Sequence, residues 1–234
     1  MEDVMKIKKK KIRKKELKED AFSKFIKRVL YVWGEKKKVF LYIFSAVILI
    51  AIILIFYLNF RVSTNRNADE KFIISITLYM QNRIKDAYQN FELIQSEYYG
   101  TEAARKALFF MANIDYRIGE IDKAMEEFRK VSRISKDEYI LASSIEGIAQ
   151  CFEQKGEVDS AIFYYELASK KYKSTGFKSE CLLNLGRVYE GSGRFGEAEE
   201  VYRKILSMVE TPNIKEEAQN RLNMLSGLRQ VIGK

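Results

Sequence analysis

Two patterns of apolar positions divide the chain. From Val39 to Leu58 the sequence VFLYIFSAVILIAIILIFYL runs for 20 residues without a charge, and at about 1.5 Å per residue a helix of that length spans roughly 30 Å of hydrocarbon. Fifteen of the 20 are Val, Ile, Leu or Phe, so their summed insertion free energy is about −4 to −9 kcal/mol. The pattern predicts one transmembrane helix, since a domain this small cannot bury a helix that is apolar all round. A cleaved signal peptide would have a shorter apolar core ending in a small-residue site. Here the segment leaves through Leu58-Asn59-Phe60-Arg61 and reads as an uncleaved anchor.

Beyond the anchor the apolar positions recur every 37 residues. Ala87, Ala124, Ala161 and Ala198 mark the register. Four residues after each comes an aromatic (Phe91, Phe128, Tyr165, Tyr202), and three before each an apolar side chain (Ile84, Ile121, Val158, Phe195). Five before come Asn82, Gly119, Gly156 and Gly193; twelve before come the small residues Ser75, Ala112, Ala149 and Gly186, preceded by Ile74, Met111, Ile148 and Leu185. These columns describe a helix hairpin: a first helix, a turn at Gly or Asn where positive φ is cheap, and a second helix. Small residues let the two helices approach closely, and the aromatic fills the space between hairpins. One hairpin cannot hide its own apolar stripe, so neighbours must stack on it. After the fourth unit Thr211 and Pro212 suit an N-cap and first helical residue, with Ile214, Ala218, Leu222 and Leu225 as the inner face of a closing helix.

The expected fold class is therefore all-α: one transmembrane helix, then an α-solenoid of about four helix hairpins with a C-terminal capping helix. The expected boundaries are a basic tail at 1–38, the anchor at 39–58, a linker at 59–67, four units at 68–104, 105–141, 142–178 and 179–215, a capping helix at 212–228 and a disordered end at 229–234.

Charge sharpens this division. Residues 1–38 hold 15 basic and 6 acidic side chains, while the remainder holds 26 of each, so the whole net charge of +9 belongs to the tail. With Lys36, Lys37 and Lys38 against the anchor, the tail should be cytoplasmic and the repeats extracytoplasmic, which in a bacterium means the inner membrane and the periplasm. The run Lys6–Lys18 is too charged to bury anything, whereas Phe22, Phe25, Ile26, Val29, Leu30 and Trp33 fall at helical spacings and predict a basic amphipathic helix. Anionic lipid headgroups are its expected partner. Nucleic acid is not, because the lysine run lacks interleaved aromatics for base stacking.

Histidine is absent, which removes the usual general base and the commonest zinc ligand. Cys151 and Cys181 fit neither a metal motif nor, at about 10 Å along parallel helices, a disulfide. The acidic pairs Glu126-Glu127, Glu199-Glu200 and Glu216-Glu217 read as solvated helix faces. No cofactor, metal or small-molecule substrate is expected, and no enzyme activity.

The repeats resemble tetratricopeptide repeats. The closest unit is Leu182-x-x-Leu185-Gly186-x-x-Tyr189-x-x-x-Gly193-x-Phe195-x-x-Ala198-x-x-x-Tyr202, with Leu182 in place of the family's tryptophan. The period of 37 rather than 34 residues and the missing late proline depart from the family pattern. In layout the chain is similar to membrane-anchored envelope proteins of this class, such as the ancillary subunit of the Sec translocon and the repeat proteins of the spirochaete periplasmic flagellar collar. The resemblance implies a non-enzymatic scaffold that binds protein partners on the concave face lined by first helices: a chaperone-like translocon accessory, or alternatively a structural part of a large envelope assembly. The matching columns place Phe72, Ile76, Tyr79, Phe109, Asn113, Tyr116, Glu146, Gln150, Glu153, Leu183, Arg187 and Glu190 there. Among these Phe109, Asn113, Tyr116, Glu146, Gln150, Leu183 and Arg187 are the candidate binding residues.

Overall fold

The computed structural model describes residues 22–29, 31, 34, 37–208 and 211–232. The expected disordered run at Lys6–Lys18, and Leu30 and Trp33 of the expected tail helix, lie outside these. Two compact units divide the chain between Arg61 and Val62.

In the first unit residues 22–29 form α1, with Phe22, Phe25, Ile26 and Val29 exposed. Helix α2 runs unbroken from Lys37 to Met80. The large apolar side chains of its 39–58 stretch are 36–73 % exposed, and this is the one helix among the described residues long and apolar enough to cross a membrane. Residues 59–67, expected as a linker, are helical too. That segment contains neither Gly nor Pro, so nothing in it ends the helix.

The second unit is built from hairpins. The last turns of α2 pair with α3 (Ile84–Glu97), α4 (Glu102–Arg117) with α5 (Ile121–Ile134), α6 (Glu138–Gln154) with α7 (Val158–Lys171), and α8 (Thr175–Gly191) with α9 (Phe195–Met208), followed by α10 (Pro212–Ile232). The four second helices are each 14 residues long, and α4, α6 and α8 are 16 or 17. The longer period is thus taken up in the first helices. Helix α10 starts at Pro212, a residue pre-set for a first helical position, and continues past the expected end at 228.

The turns share one geometry. Asn82, Gly119, Gly156 and Gly193 all have positive φ, between 60° and 88°. Each turn is closed by a 6→1 backbone bond of 2.9 Å, from the N–H of Arg83, Glu120, Glu157 and Arg194 to the carbonyls of Leu78, Asp115, Phe152 and Tyr189. This is a Schellman closure, which satisfies carbonyls a helix end would otherwise leave open. Side-chain caps start two first helices: Thr101 accepts from the Ala104 N–H, and Asp137 from those of Tyr139 and Ile140.

The core follows the columns. Ala87, Ala124, Ala161 and Ala198 are fully buried, and the aromatics Phe91, Phe128, Tyr165 and Tyr202 are at most 1 % exposed. Gly186 lies under the Tyr202 ring, where an added Cβ would stand 2.5 Å from a ring carbon. Gly147 makes the same close approach to Phe128. At the end of the stack Ile214, Ala218 and Leu225 are buried and Leu222 packs beside them. Cys151 and Cys181 are buried and unpaired; desolvation pushes the Cys151 thiol up to about 11 and raises that of Cys181 as well, so neither is a ready nucleophile.

Two carboxylates depart from expectation. Glu127 and Glu199 are 7 % and 6 % exposed, although the pairs containing them read as solvated. Glu199 is held by Arg203 at 2.8 Å. Glu127 lies beside Asp115, itself 1 % exposed, and Asp115 receives Lys123 Nζ at 3.0 Å. Burial first, and then the neighbouring Asp115, push Glu127 up to about 8. Charge at a solvated-looking position is tolerated here because the site is cationic on one side and can hold a proton on the other.

A candidate protein-binding groove

Successive first helices lie side by side, so columns 37 residues apart line one face. Between α4, α6 and α8 this face sinks into a pocket of about 220 Å³. Helix α4 contributes Phe109 and Asn113; α6 contributes Tyr139, Ser143, Glu146, Gly147 and Gln150; α8 contributes Phe177, Glu180 and Asn184; and Tyr172, just past α7, closes the side. The α6 residues follow steps of three and four, which put them on one helical stripe.

Glu146 is the centre of the polar network. Its Oε2 accepts from the Tyr172 hydroxyl at 2.7 Å and its Oε1 from Asn184 Nδ2 at 2.9 Å. Ser143 Oγ lies 3.0 Å from the same tyrosine oxygen. Burial raises the Glu146 pKa, the two hydrogen bonds hold it down in part, and Glu180 adds like-charge repulsion.

Of the seven residues expected from sequence, the pocket gathers Phe109, Asn113, Glu146 and Gln150. Phe109 is not an exposed anchor: it is 8 % exposed and packs edge-on against Phe110 and Phe128, with centroids at 5.5 and 6.0 Å. Its ring belongs to the core and forms the pocket floor, because α5 packs Phe128 against that column. Asn113 turns its amide back to the Phe109 carbonyl at 2.7 Å. Tyr116, Leu183 and Arg187 lie outside the pocket. The Tyr116 hydroxyl receives a long bond from Gln154 at 3.4 Å, and Leu183 packs against the C-terminal core. Arg187 forks onto Glu153, with Nη2 to Oε2 at 2.8 Å, while the Tyr165 hydroxyl also donates to Glu153 at 3.0 Å. Burial would raise Glu153, but these bonds win and lower its pKa.

Sequence reasoning missed Tyr139, Ser143, Tyr172, Phe177, Glu180 and Asn184. Most lie one step around the same helical stripe from columns that were considered. Tyr172 had no signal, since it sits in a connection that helix columns do not cover. Among the described residues no cluster of His, Cys, Asp or Glu is placed to hold a metal ion.

Solved structures with this arrangement share little sequence with the chain. The apo form of RapI superimposes with a TM-score of 0.62 at 18 % identity, over 73 % of this chain and 51 % of RapI. A kinesin light chain from Podosopora anserina with nearly identical TPR-like repeats gives 0.57 at 17 %, covering 71 % of this chain and 90 % of that one. A tetratricopeptide repeat protein from Parabacteroides merdae gives 0.55 at 17 %, over 70 % and 61 %. At these identities the likeness is one of fold. No curated protein matches the chain. Residues 32–227 match the family model described as a tetratricopeptide repeat-like domain, and the chain belongs to that family.

Proposed function

We propose that the chain is a single-pass scaffold of a bacterial inner membrane, with a cytoplasmic amino terminus resting on anionic lipid and a periplasmic repeat domain that holds a segment of a protein partner. The pocket between α4, α6 and α8 carries this reading, because it is a concave site built from three successive repeats and lined by aromatic, amide and carboxylate groups. The uncovered apolar side chains of 39–58 support the anchor: in water such a surface is far larger than soluble proteins leave exposed. The charge asymmetry across it supports the orientation. Of the two envelope settings that the layout resembles, transient capture of a polypeptide, as by a translocon accessory, is the primary reading, and a fixed structural part of a large envelope assembly is the alternative.

Two measurements test this. Protease added to spheroplasts should digest the repeat domain and spare an epitope placed before Lys36; loss of that epitope would reverse the orientation. A photo-crosslinker at Gln150, in native membranes, should capture polypeptide. Absence of any adduct there would remove the groove from the function, and a single stoichiometric adduct would instead support a fixed structural role.

A further inference from the structure

Three rings gather on one side of the pocket. Tyr139 and Phe177 have centroids 4.6 Å apart, and each lies 6.2 Å from Tyr172. Tyr139 and Phe177 are exposed, at 45 % and 43 %, although aromatic faces of this size are commonly covered. The same pocket holds two carboxylates, Glu146 and Glu180, three side-chain amides, Asn113, Gln150 and Asn184, and no lysine or arginine in its lining. Three nearby cations are engaged elsewhere: Lys173 with Glu138, Lys106 with Asp137 and Arg187 with Glu153.

We propose that this pocket receives a cationic side chain, lysine or arginine, from a peptide segment lying along the groove. The inference rests on the groove reading above and adds the chemistry of the ligand. Aromatic faces attract a cation through the ring quadrupole, more strongly when it is desolvated. Carboxylates supply charge-assisted acceptors for its N–H groups, and amide carbonyls supply neutral ones. Each Glu146 oxygen accepts one bond within the protein and keeps a lone pair for a second. A half-buried carboxylate beside another acid is uncomfortable alone, and an incoming cation relieves both the desolvation and the repulsion. An acidic peptide meets the opposite field and is rejected.

The test uses the full-length chain in phosphatidylcholine nanodiscs, whose neutral surface does not itself collect cations. Fluorescence polarisation is measured with three pools of acetylated dodecapeptides, centred on Lys, Arg or Gln in flanks of Gly, Ala, Ser, Leu and Asn. The expected result is that the Lys or Arg pool binds at least about ten-fold more tightly than the Gln pool, equal to about 1.4 kcal/mol. Glu146→Gln combined with Glu180→Gln, and separately Phe177→Ala, should bring that preference close to parity with the melting curve unchanged. Glu180 and Phe177 are exposed, so their single variants keep the experiment decisive if Glu146→Gln perturbs folding. Equal binding of the three pools, or a preference that survives both variants, overturns the proposal. If the Gln150 crosslinker still captures polypeptide in that case, only the cation assignment falls; if it captures none, the groove reading falls with it.

Discussion

Glu127 shows what a single side chain does to the stability of the whole domain. A carboxyl held at about 8 in the fold, against an ordinary value near 4.5, carries a proton that the unfolded chain has released. Stability is therefore highest at or below the unfolded value and falls as pH rises from about 4.5 to 8. Thermal unfolding followed by circular dichroism should show this loss, and Glu127→Gln should flatten it, melting several degrees higher than the natural chain at pH 9 and close to it at pH 5. A variant with the same pH slope would remove Glu127 as its source. Glycine gives a second residue-scale contrast within one helix. Gly186→Ala gains helix propensity of about 1 kcal/mol but drives a Cβ into the Tyr202 ring, a ring 1 % exposed with no room to move, so a net loss of about 1–3 kcal/mol is expected. Gly191→Ala, also in α8, meets nothing within 4 Å and should be neutral or stabilising. A loss of stability at Gly186 and none at Gly191 is the expected outcome in denaturant melts, and equal effects would mean that the ring yields.

At the scale of elements, the hairpin depends on its turn and its crossing. Gly156 has φ of 73° with open space around it, so Gly156→Ala costs conformational strain of about 1–2 kcal/mol and no packing. Asn82 already occupies that region at 60°, and Asn82→Gly should leave stability equal or raised. Ala161, fully buried where α7 meets its neighbours, should lose about 1–3 kcal/mol on change to Leu. A domain of this length shifts its melting temperature by about 2–4 °C per kcal/mol, which makes each effect measurable. These elements were legible in the sequence because a strict period repeats the same physical requirement four times: a small residue where the paired helices cross, and a positive φ at the turn within each hairpin. Helix α2 was legible only in part. Its apolar stretch and its repeat portion were each visible, but the helical continuity through 59–67 rests on the absence of any stop signal, which is a weaker signal than the presence of one.

At the scale of the molecule, each hairpin packs chiefly on the next, so stability is close to a sum of units and the interfaces between them. Truncation after Thr211 removes Ile214, Ala218 and Leu225 from the terminal core. Hydrogen exchange should then show α8 and α9 losing protection first while α4 and α5 retain theirs; uniform loss would mean that the domain unfolds as one unit. The groove was less legible than the stack. Columns identify which helix faces the concave side, and so found Asn113, Glu146 and Gln150, but they treat a floor residue such as Phe109 and a wall residue alike, because both obey the same spacing. Whether a ring is covered depends on its partner across the interface, here Phe128, and a single strand of sequence does not carry that pairing. The Arg187–Glu153 fork was hidden for the same reason, its members standing on neighbouring repeats 34 positions apart.

The identical turn closures make the domain a structure that can grow. Each 37-residue block begins and ends at equivalent points of the same backbone geometry, so duplication of a whole block presents its neighbours with surfaces they already fit. A second copy of 142–178 placed after the first would lengthen the groove by one pocket, whereas an added 36 or 38 residues would turn the following helix off its face and expose what it buries. Gene duplication in whole multiples of the period is thus the low-cost path by which a chain of this design changes the length of its groove.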